Sequence, residues 1–255
     1  MENKEFISVI IPYHRKKKFF QETIDSICSQ TFKNIELLVV YDDTDKSELD
    51  FVKKTLIKSK LPFSLIINSK NIGVGKSRNK ALKKCKGNFV AFCDADDLWI
   101  KDKLKFQINF MKKKKLNFSY SSYNIIDSRS KKIGLFMAPK IIDFNKLMKS
   151  CDIGLSTVMI KKDLIKEFSF SDLRTKEDYL LWLEIVSKIN YLIGINKPLV
   201  NWRKLESSLS SSFFQKLIDA FELYHIHRKK NFLLSVFFVI RLSFYALKKK
   251  ILMYW

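Results

Sequence analysis

At 255 residues, 47% of them hydrophobic, the chain can bury a full core as one large domain. Its six glycines and four prolines leave no low-complexity linker, and the four scattered cysteines (Cys28, Cys85, Cys93, Cys151) match neither a zinc spacing nor a disulfide framework, which points to a reducing compartment. A net charge of +22 reflects either solvated helix faces or an anionic partner: nucleic acid, a sugar nucleotide or acidic lipid headgroups.

Residues 6–11 (Phe-Ile-Ser-Val-Ile-Ile) read as a buried strand stopped by Pro12, far too short for the apolar core of a signal peptide. Phe20, Ile24 and Ile27 recur at helical spacing within 19–31. Ile35–Tyr41 is a second buried strand, ending in Asp42-Asp43. The pattern predicts a helix over 49–60 with Phe51, Val52 and Leu56 inward, then a third strand over Phe63–Ile67. A turn over 71–75 and a short helix over 76–84 follow. Residues 89–93 form a fourth strand. Ile100, Leu104, Ile108 and Met111 stripe a helix over 100–115, whose closing lysines suit the negative end of its dipole.

Strands alternating with helices imply a mostly parallel, doubly wound α/β sheet, and such sheets bind ligands beyond the carboxyl ends of their strands. Three of those ends are polar here: Pro12-Tyr13-His14-Arg15, Asp42-Asp43 and Asp94-Ala95-Asp96-Asp97. Asp94 and Asp96 stand two apart, so an extended backbone turns both to one side, where they repel unless a cation lies between them. The cluster suits either a hard divalent ion that also holds phosphate oxygens, or a solvated turn capping the next helix.

Beyond residue 116 the pattern is less regular. Residues 117–126 and 157–160 read as strands and Glu177–Ile189 as a helix. Residues 232–247 are apolar and aromatic but fall short of the ~20 needed to span a bilayer, and Arg241 interrupts them. Basic flanks at 228–230 and 248–250 suit a helix lying in a membrane interface; packing on the domain or on a second copy is the alternative.

In order, these elements resemble the inverting family 2 glycosyltransferases of GT-A fold. The resemblance covers residues 6–210 and rests on Ser-Val-Ile-Ile-Pro-Tyr-His-Arg, Leu-Leu-Val-Val-Tyr-Asp-Asp, Asn-Ile-Gly-Val-Gly-Lys-Ser-Arg-Asn and Phe-Cys-Asp-Ala-Asp-Asp. Lys-Glu-Asp-Tyr-Leu-Leu-Trp-Leu and Trp202-Arg203 with Ser208-Leu209-Ser210 complete the set. It implies a nucleotide-sugar half over 1–115, an acceptor half of the same domain over 116–210, and a helical, amphipathic C-terminal extension over 211–255.

The resemblance also implies roles. Pro12 and Asp43 line the base pocket, with Tyr13 and Arg15 on the same loop, and Arg78 meets the base or a phosphate. Asp94 contacts the ribose or the ion's water shell, Asp96 ligates Mg²⁺ or Mn²⁺, and Asp97 caps the following helix. Asp178 is the base that takes the acceptor proton, Glu177 the runner-up, and Trp182 lines the acceptor site. A histidine common in the family before Ser-x-Ser is missing near Leu205, leaving Arg203 or Lys204 to face the diphosphate. The expected partners are a nucleotide-diphospho-sugar (a UDP-sugar favoured), a glycan or lipid-linked acceptor and an anionic membrane surface, with the protein cytoplasmic and peripheral at the inner membrane face. Two other readings are a catalytically degenerate scaffold of this fold and a basic nucleic-acid-binding protein. The second leaves the acidic strand ends unexplained.

Overall fold

The computed structural model describes residues 5–205 and 212–253. The first half runs β1 (Ile7–Tyr13), α1 (Lys17–Cys28), β2 (Ile35–Tyr41), α2 (Lys46–Ser59), β3 (Phe63–Ile67), α3 (Val74–Leu82) and β4 (Phe89–Phe92). Next come β5 (Leu98–Trp99), α4 (Lys103–Lys113), β6 (Phe118–Ile126), β7 (Lys132–Phe136), β8 (Ile141–Asp143) and α5 (Phe144–Leu147). The chain continues through β9 (Met159–Lys161), α6 (Lys162–Ile165), α7 (Glu177–Ile189), β10 (Tyr191–Arg203), α8 (Phe213–Glu222) and α9 (Phe232–Met253).

One ten-stranded sheet is ordered β3-β2-β1-β4-β9-β6-β10-β5, with β7 paired to β6 and β8 to β10. β1 to β4 pair in parallel, as do β6 and β10; β9 runs antiparallel to both β4 and β6 and joins the two parallel blocks. Helices cover both faces, which is why the central strands are apolar without alternation. In β1, Val9, Ile11 and Tyr13 enter one core while Ile10 enters the other; in β2, Leu37 and Val39 oppose Leu38 and Val40.

Pro12 does not stop β1. Its pairing with β4 ends at Ile10↔Phe92, while pairing with β2 continues through Tyr13↔Tyr41. Tyr13 gives its carbonyl to the Asp42 N–H on the β2 side. Pro12 therefore faces the side that has run out of partners, where a missing N–H costs no ladder bond.

The helix expected over 100–115 begins later, at Lys103. Leu98 and Trp99 instead form β5 against Asn201 and Val200 of β10, and the Trp99 indole donates to the Ser156 carbonyl at 3.1 Å. Asp97 is thus too far upstream to cap α4. The α2 helix starts earlier than its apolar stripe because Asp45 caps it, accepting the Ser47 and Glu48 N–H groups.

At the C-terminus, α9 packs one face on the domain. Ser235 and Leu242 are buried, Phe238 and Val239 lie against the core, and Arg241 donates to the Met148 carbonyl at 3.0 Å. Among the described residues, no helix is long and apolar enough to cross a membrane.

Candidate active site

The parallel register carries the ends of β1, β2 and β4 to one edge, where a cleft of about 1400 Å³ opens. Pro12, His14, Lys16, Asp42, Arg78, Asp94, Asp96 and Asp178 all border it. The turn after β3 forms one wall and is built on Asp42, whose carboxylate accepts the Ile72 N–H at 2.8 Å, the Gly73 N–H at 3.0 Å and the Asn68 amide at 2.8 Å. Gly73 has φ +90°, and a Cβ on Gly75 would meet the Ser171 carbonyl at 2.4 Å. The glycines are therefore required by the wall's shape.

At the end of β4 the three acids have separate partners. Asp94 receives Arg78 Nη2 at 2.8 Å. Asp96 pairs with Lys16 Nζ at 2.7 Å, and burial raises its pKa against that pull. Asp97 is buried; its carboxylate accepts the Ser156 hydroxyl at 2.5 Å and the Arg203 N–H at 2.8 Å, and burial with Asp96 and Asp94 beside it holds its proton well above the usual carboxylate range. Ser156 Oγ also accepts the Asp94 N–H at 3.0 Å, so one hydroxyl ties the turn together. Asp97 is the turn's internal brace.

Across the cleft, the first turn of α7 supplies Glu177 and Asp178. Arg78, 3% exposed, joins the two sides: Nη1 donates to Glu177 Oε1 at 2.6 Å and Nη2 to Asp94. Its guanidinium also lies 5.3 Å from the Phe170 ring centre. Burial, followed by the charge of Asp178, lifts the Glu177 carboxyl to about 7 although Arg78 pulls the other way. Burial raises Asp178 as well. Its Oδ1 accepts the Tyr179 N–H at 2.7 Å.

The other predicted residues fall into different places. Pro12 and Arg15 border the cleft, and Arg15 Nε bonds Asp43 at 3.1 Å. The Asp43 carboxylate also accepts the Thr44 N–H and faces His14 Nδ1 at 3.2 Å. Asp42, not singled out from the sequence, borders the cleft where Asp43 does not. The Tyr13 ring is core: it stacks on Tyr41 and donates its hydroxyl to Glu48 at 2.7 Å, because its position in β1 points into a helix layer.

Trp182 does not line an acceptor site. It is fully buried among Phe92, Phe118 and Phe170, since α7 turns that side onto the sheet. Trp202, the last residue but one of β10, borders the cleft instead. Nor does Arg203 face a diphosphate. Its buried guanidinium donates to the carbonyls of Asp96 and Asp127, to Ser130 Oγ and to Glu22, and it lies over the Phe19 ring. Arg203 is a clamp under the Asp96 loop. Ser208-Leu209-Ser210 lies outside the described residues. Lys16, which sequence reasoning missed, sits where the family pattern offered no acidic partner to reveal it.

Among the described residues, no three His, Cys, Asp or Glu side chains converge as a metal cage. Asp94 and Asp96 on one turn fit a different arrangement: a hard cation that takes two protein carboxylates at most and fills its shell with phosphate oxygens and water. The residues present fit Mg²⁺ or Mn²⁺ on those terms.

Comparison with known proteins agrees with the geometry. The family model described as Glycosyl transferase family 2 matches residues 8–168. The chain is 39% identical over 213 residues to the UDP-Glc:alpha-D-GlcNAc-diphosphoundecaprenol beta-1,3-glucosyltransferase WfgD of Escherichia coli, covering 83% of this chain and 82% of that protein. The crystal structure of S. aureus TarS 1-349 in complex with UDP-GlcNAc aligns with a TM-score of 0.68 at 23% identity, covering 86% of this chain and 66% of that one. The mannosyltransferase PcManGT from Pyrobaculum calidifontis, in complex with GDP-Man and Mn²⁺, aligns with a TM-score of 0.66 at 15% identity, covering 90% of this chain and 66% of that one. The chain thus spans a little under two thirds of the length of these two structures, which speak for the fold.

Proposed function

The chain belongs to glycosyl transferase family 2 and is a glycosyltransferase, and on that premise we propose that it moves a sugar from a UDP-sugar to a hydroxyl of a lipid-linked, GlcNAc-diphosphate acceptor, with inversion at the transferred carbon. The observation that carries the reading is the convergence of Asp178 with Asp94 and Asp96 on one cleft, the two sides braced by Arg78. The relative WfgD, similar over most of the chain, supports the donor and acceptor classes.

In this reading the acceptor oxygen bonds the anomeric carbon while the bond from that carbon to the β-phosphate oxygen breaks, and Asp178 takes the hydroxyl proton. Mg²⁺ or Mn²⁺ held by Asp94 and Asp96 would neutralise charge on the departing diphosphate. Arg78 fixes Asp94 and Glu177, and through the α7 turn it sets where Asp178 stands. Trp202 offers an apolar face to the acceptor. A nucleic-acid role gives no part to Asp94, Asp96 and Asp178, the carboxylates that border the cleft.

The test is transfer from UDP-glucose and from UDP-GlcNAc to a synthetic GlcNAc-diphospho-lipid, with and without Mn²⁺, products read by mass spectrometry. A new disaccharide-diphospho-lipid is expected. A folded protein that neither binds nor consumes any UDP-sugar would sink the reading and favour the scaffold.

A further inference from the structure

The two C-terminal helices each have a face that nothing in the structure covers. On α9, Leu233, Phe237, Ile240, Phe244, Leu247 and Ile251 are all exposed, Leu233 to 78%. Their spacing alternates four and three residues, which keeps them on one side, opposite the buried Ser235 and Leu242. The stripe is about 27 Å long at 1.5 Å per residue. On α8, Phe213, Phe214 and Ile218 are exposed, Phe214 to 77%, and an apolar groove lined by Leu217, Phe221, Val236 and Ile240 joins the two helices. So large a continuous apolar surface marks an interaction site.

Its setting selects the partner. Lys229 and Lys230 are exposed at one end of the α9 stripe and Lys248 at the other, and the chain as a whole carries +22. A second copy would bring the same positive charge to the interface, whereas an anionic bilayer supplies the opposite charge and a matching apolar layer. The helices are also part of the cleft: Gln215 and Lys216 of α8, Ser212 that caps it, and Lys249 of α9 border it. Lys249 reaches it while bonding the Cys151 carbonyl at 2.7 Å.

We infer that α8 and α9 form a hairpin that lies in the surface of an anionic lipid bilayer, apolar faces down, and that this seats the acceptor side of the cleft at the membrane. The inference rests on the proposed function only in making the acceptor a lipid.

Flotation of the full chain with vesicles tests it. The protein floats with phosphatidylcholine vesicles in which about one lipid in three is phosphatidylglycerol, and much less with phosphatidylcholine alone. At about 0.5 M NaCl, where the Debye length is ~4 Å, the bound fraction falls. The double variant Phe214→Glu, Phe244→Glu lowers binding to anionic vesicles about ten-fold or more, with circular dichroism and UDP binding unchanged. Leu233→Glu with Ile240→Glu serves if the first pair does not fold. Absence of flotation, equal flotation of both folded variants, or a lipid-free dimer in sedimentation that these variants break overturns it. Flotation needs no sugar transfer, so a chain that floats but transfers nothing sinks only the proposed function, and one that transfers to a soluble acceptor but does not float sinks only this inference.

Discussion

Lys16 Nζ lies 2.7 Å from Asp96 Oδ2, so the acid that the sequence marks as a metal ligand already holds a protein cation. Lys16 follows β1 and Asp96 follows β4, neighbours in the sheet, and the pairing register brings the two loops together. A divalent ion held by Asp94 and Asp96 would compete with the ammonium, and the ammonium so released would be free to meet a phosphate.

Lys16→Ala separates these roles. Without nucleotide, Mn²⁺ binding followed by calorimetry tightens several-fold, because a like charge has gone. UDP binding weakens about ten-fold or more, the scale of one charge-assisted hydrogen bond of roughly 1.5–3 kcal/mol. If neither affinity moves, Lys16 and Asp96 are a surface pair without a part in the site.

Arg78 is the more demanding position, because one buried guanidinium serves two carboxylates, Asp94 16 residues along the chain and Glu177 99 residues along it. Arg78→Met leaves Glu177 and Asp94 without their cation. Stability to urea falls by about 3–5 kcal/mol, the scale for breaking a buried pair. Arg78→Lys recovers only part of it, since one ammonium cannot bridge two carboxylates as a fork does. A loss below about 1 kcal/mol in Arg78→Met would contradict the bracing role.

Short β5 apart, the strands and helices up to residue 115 were legible because nearly all bury an apolar face with a clear period (β3 stays partly exposed), and the parallel sheet followed from their alternation. The acids at the strand ends were legible for the same reason: the fold fixes where a strand end points. Side-chain direction within the motifs was not. Tyr13 and Trp182 sit in motifs that border the cleft, yet one extra residue of strand for Tyr13, or one further turn of α7 beyond Asp178 for Trp182, sends each ring into a core. Arg203 reads as a free cation in sequence because its acceptors, the carbonyls of Asp96 and Asp127, belong to loops. Short β5, β7 and β8 have too few residues to show a period, and β10 is bulged near Pro198.

Glu177 gives a pH signature. Burial and Asp178 lift its carboxyl to about 7 from an ordinary 4.5. The folded protein therefore binds this proton more tightly than the unfolded chain, so the contribution to stability is complete below pH 4.5 and is lost as pH rises to about 7. Urea unfolding of wild type and Glu177→Gln across that window shows a relative decline in wild type that the variant lacks. Parallel profiles would mean that Arg78 keeps Glu177 ionised throughout.

The same substitution leaves what sets Asp178 in place. Burial raises its carboxyl and the charge of Asp94 adds to it, while Arg78 pulls the other way. The acid limb of kcat/KM in Glu177→Gln accordingly stays at its wild-type pH, with a modest loss of rate. Asp178→Asn instead loses about 10²–10⁴-fold at every pH, the usual worth of a positioned base. If Glu177→Gln shows the larger loss and Asp178→Asn stays active, the two acids exchange roles.

The two tryptophans distinguish core from site. Trp182 is fully buried, and its indole N–H has no partner among the described residues, so Trp182→Phe removes ring volume without breaking a hydrogen bond. It lowers stability by about 1–3 kcal/mol through the space it leaves among Phe92, Phe118 and Phe170. The acceptor KM stays at the wild-type value, because Trp182 does not reach the cleft. Trp202 borders it, edge-on to Tyr123 with the ring centres 6.0 Å apart. Trp202→Ala therefore raises the acceptor KM while the affinity for UDP holds. The reverse result, with Trp182→Phe changing KM and Trp202→Ala changing only stability, would put the acceptor on the α7 side of the sheet.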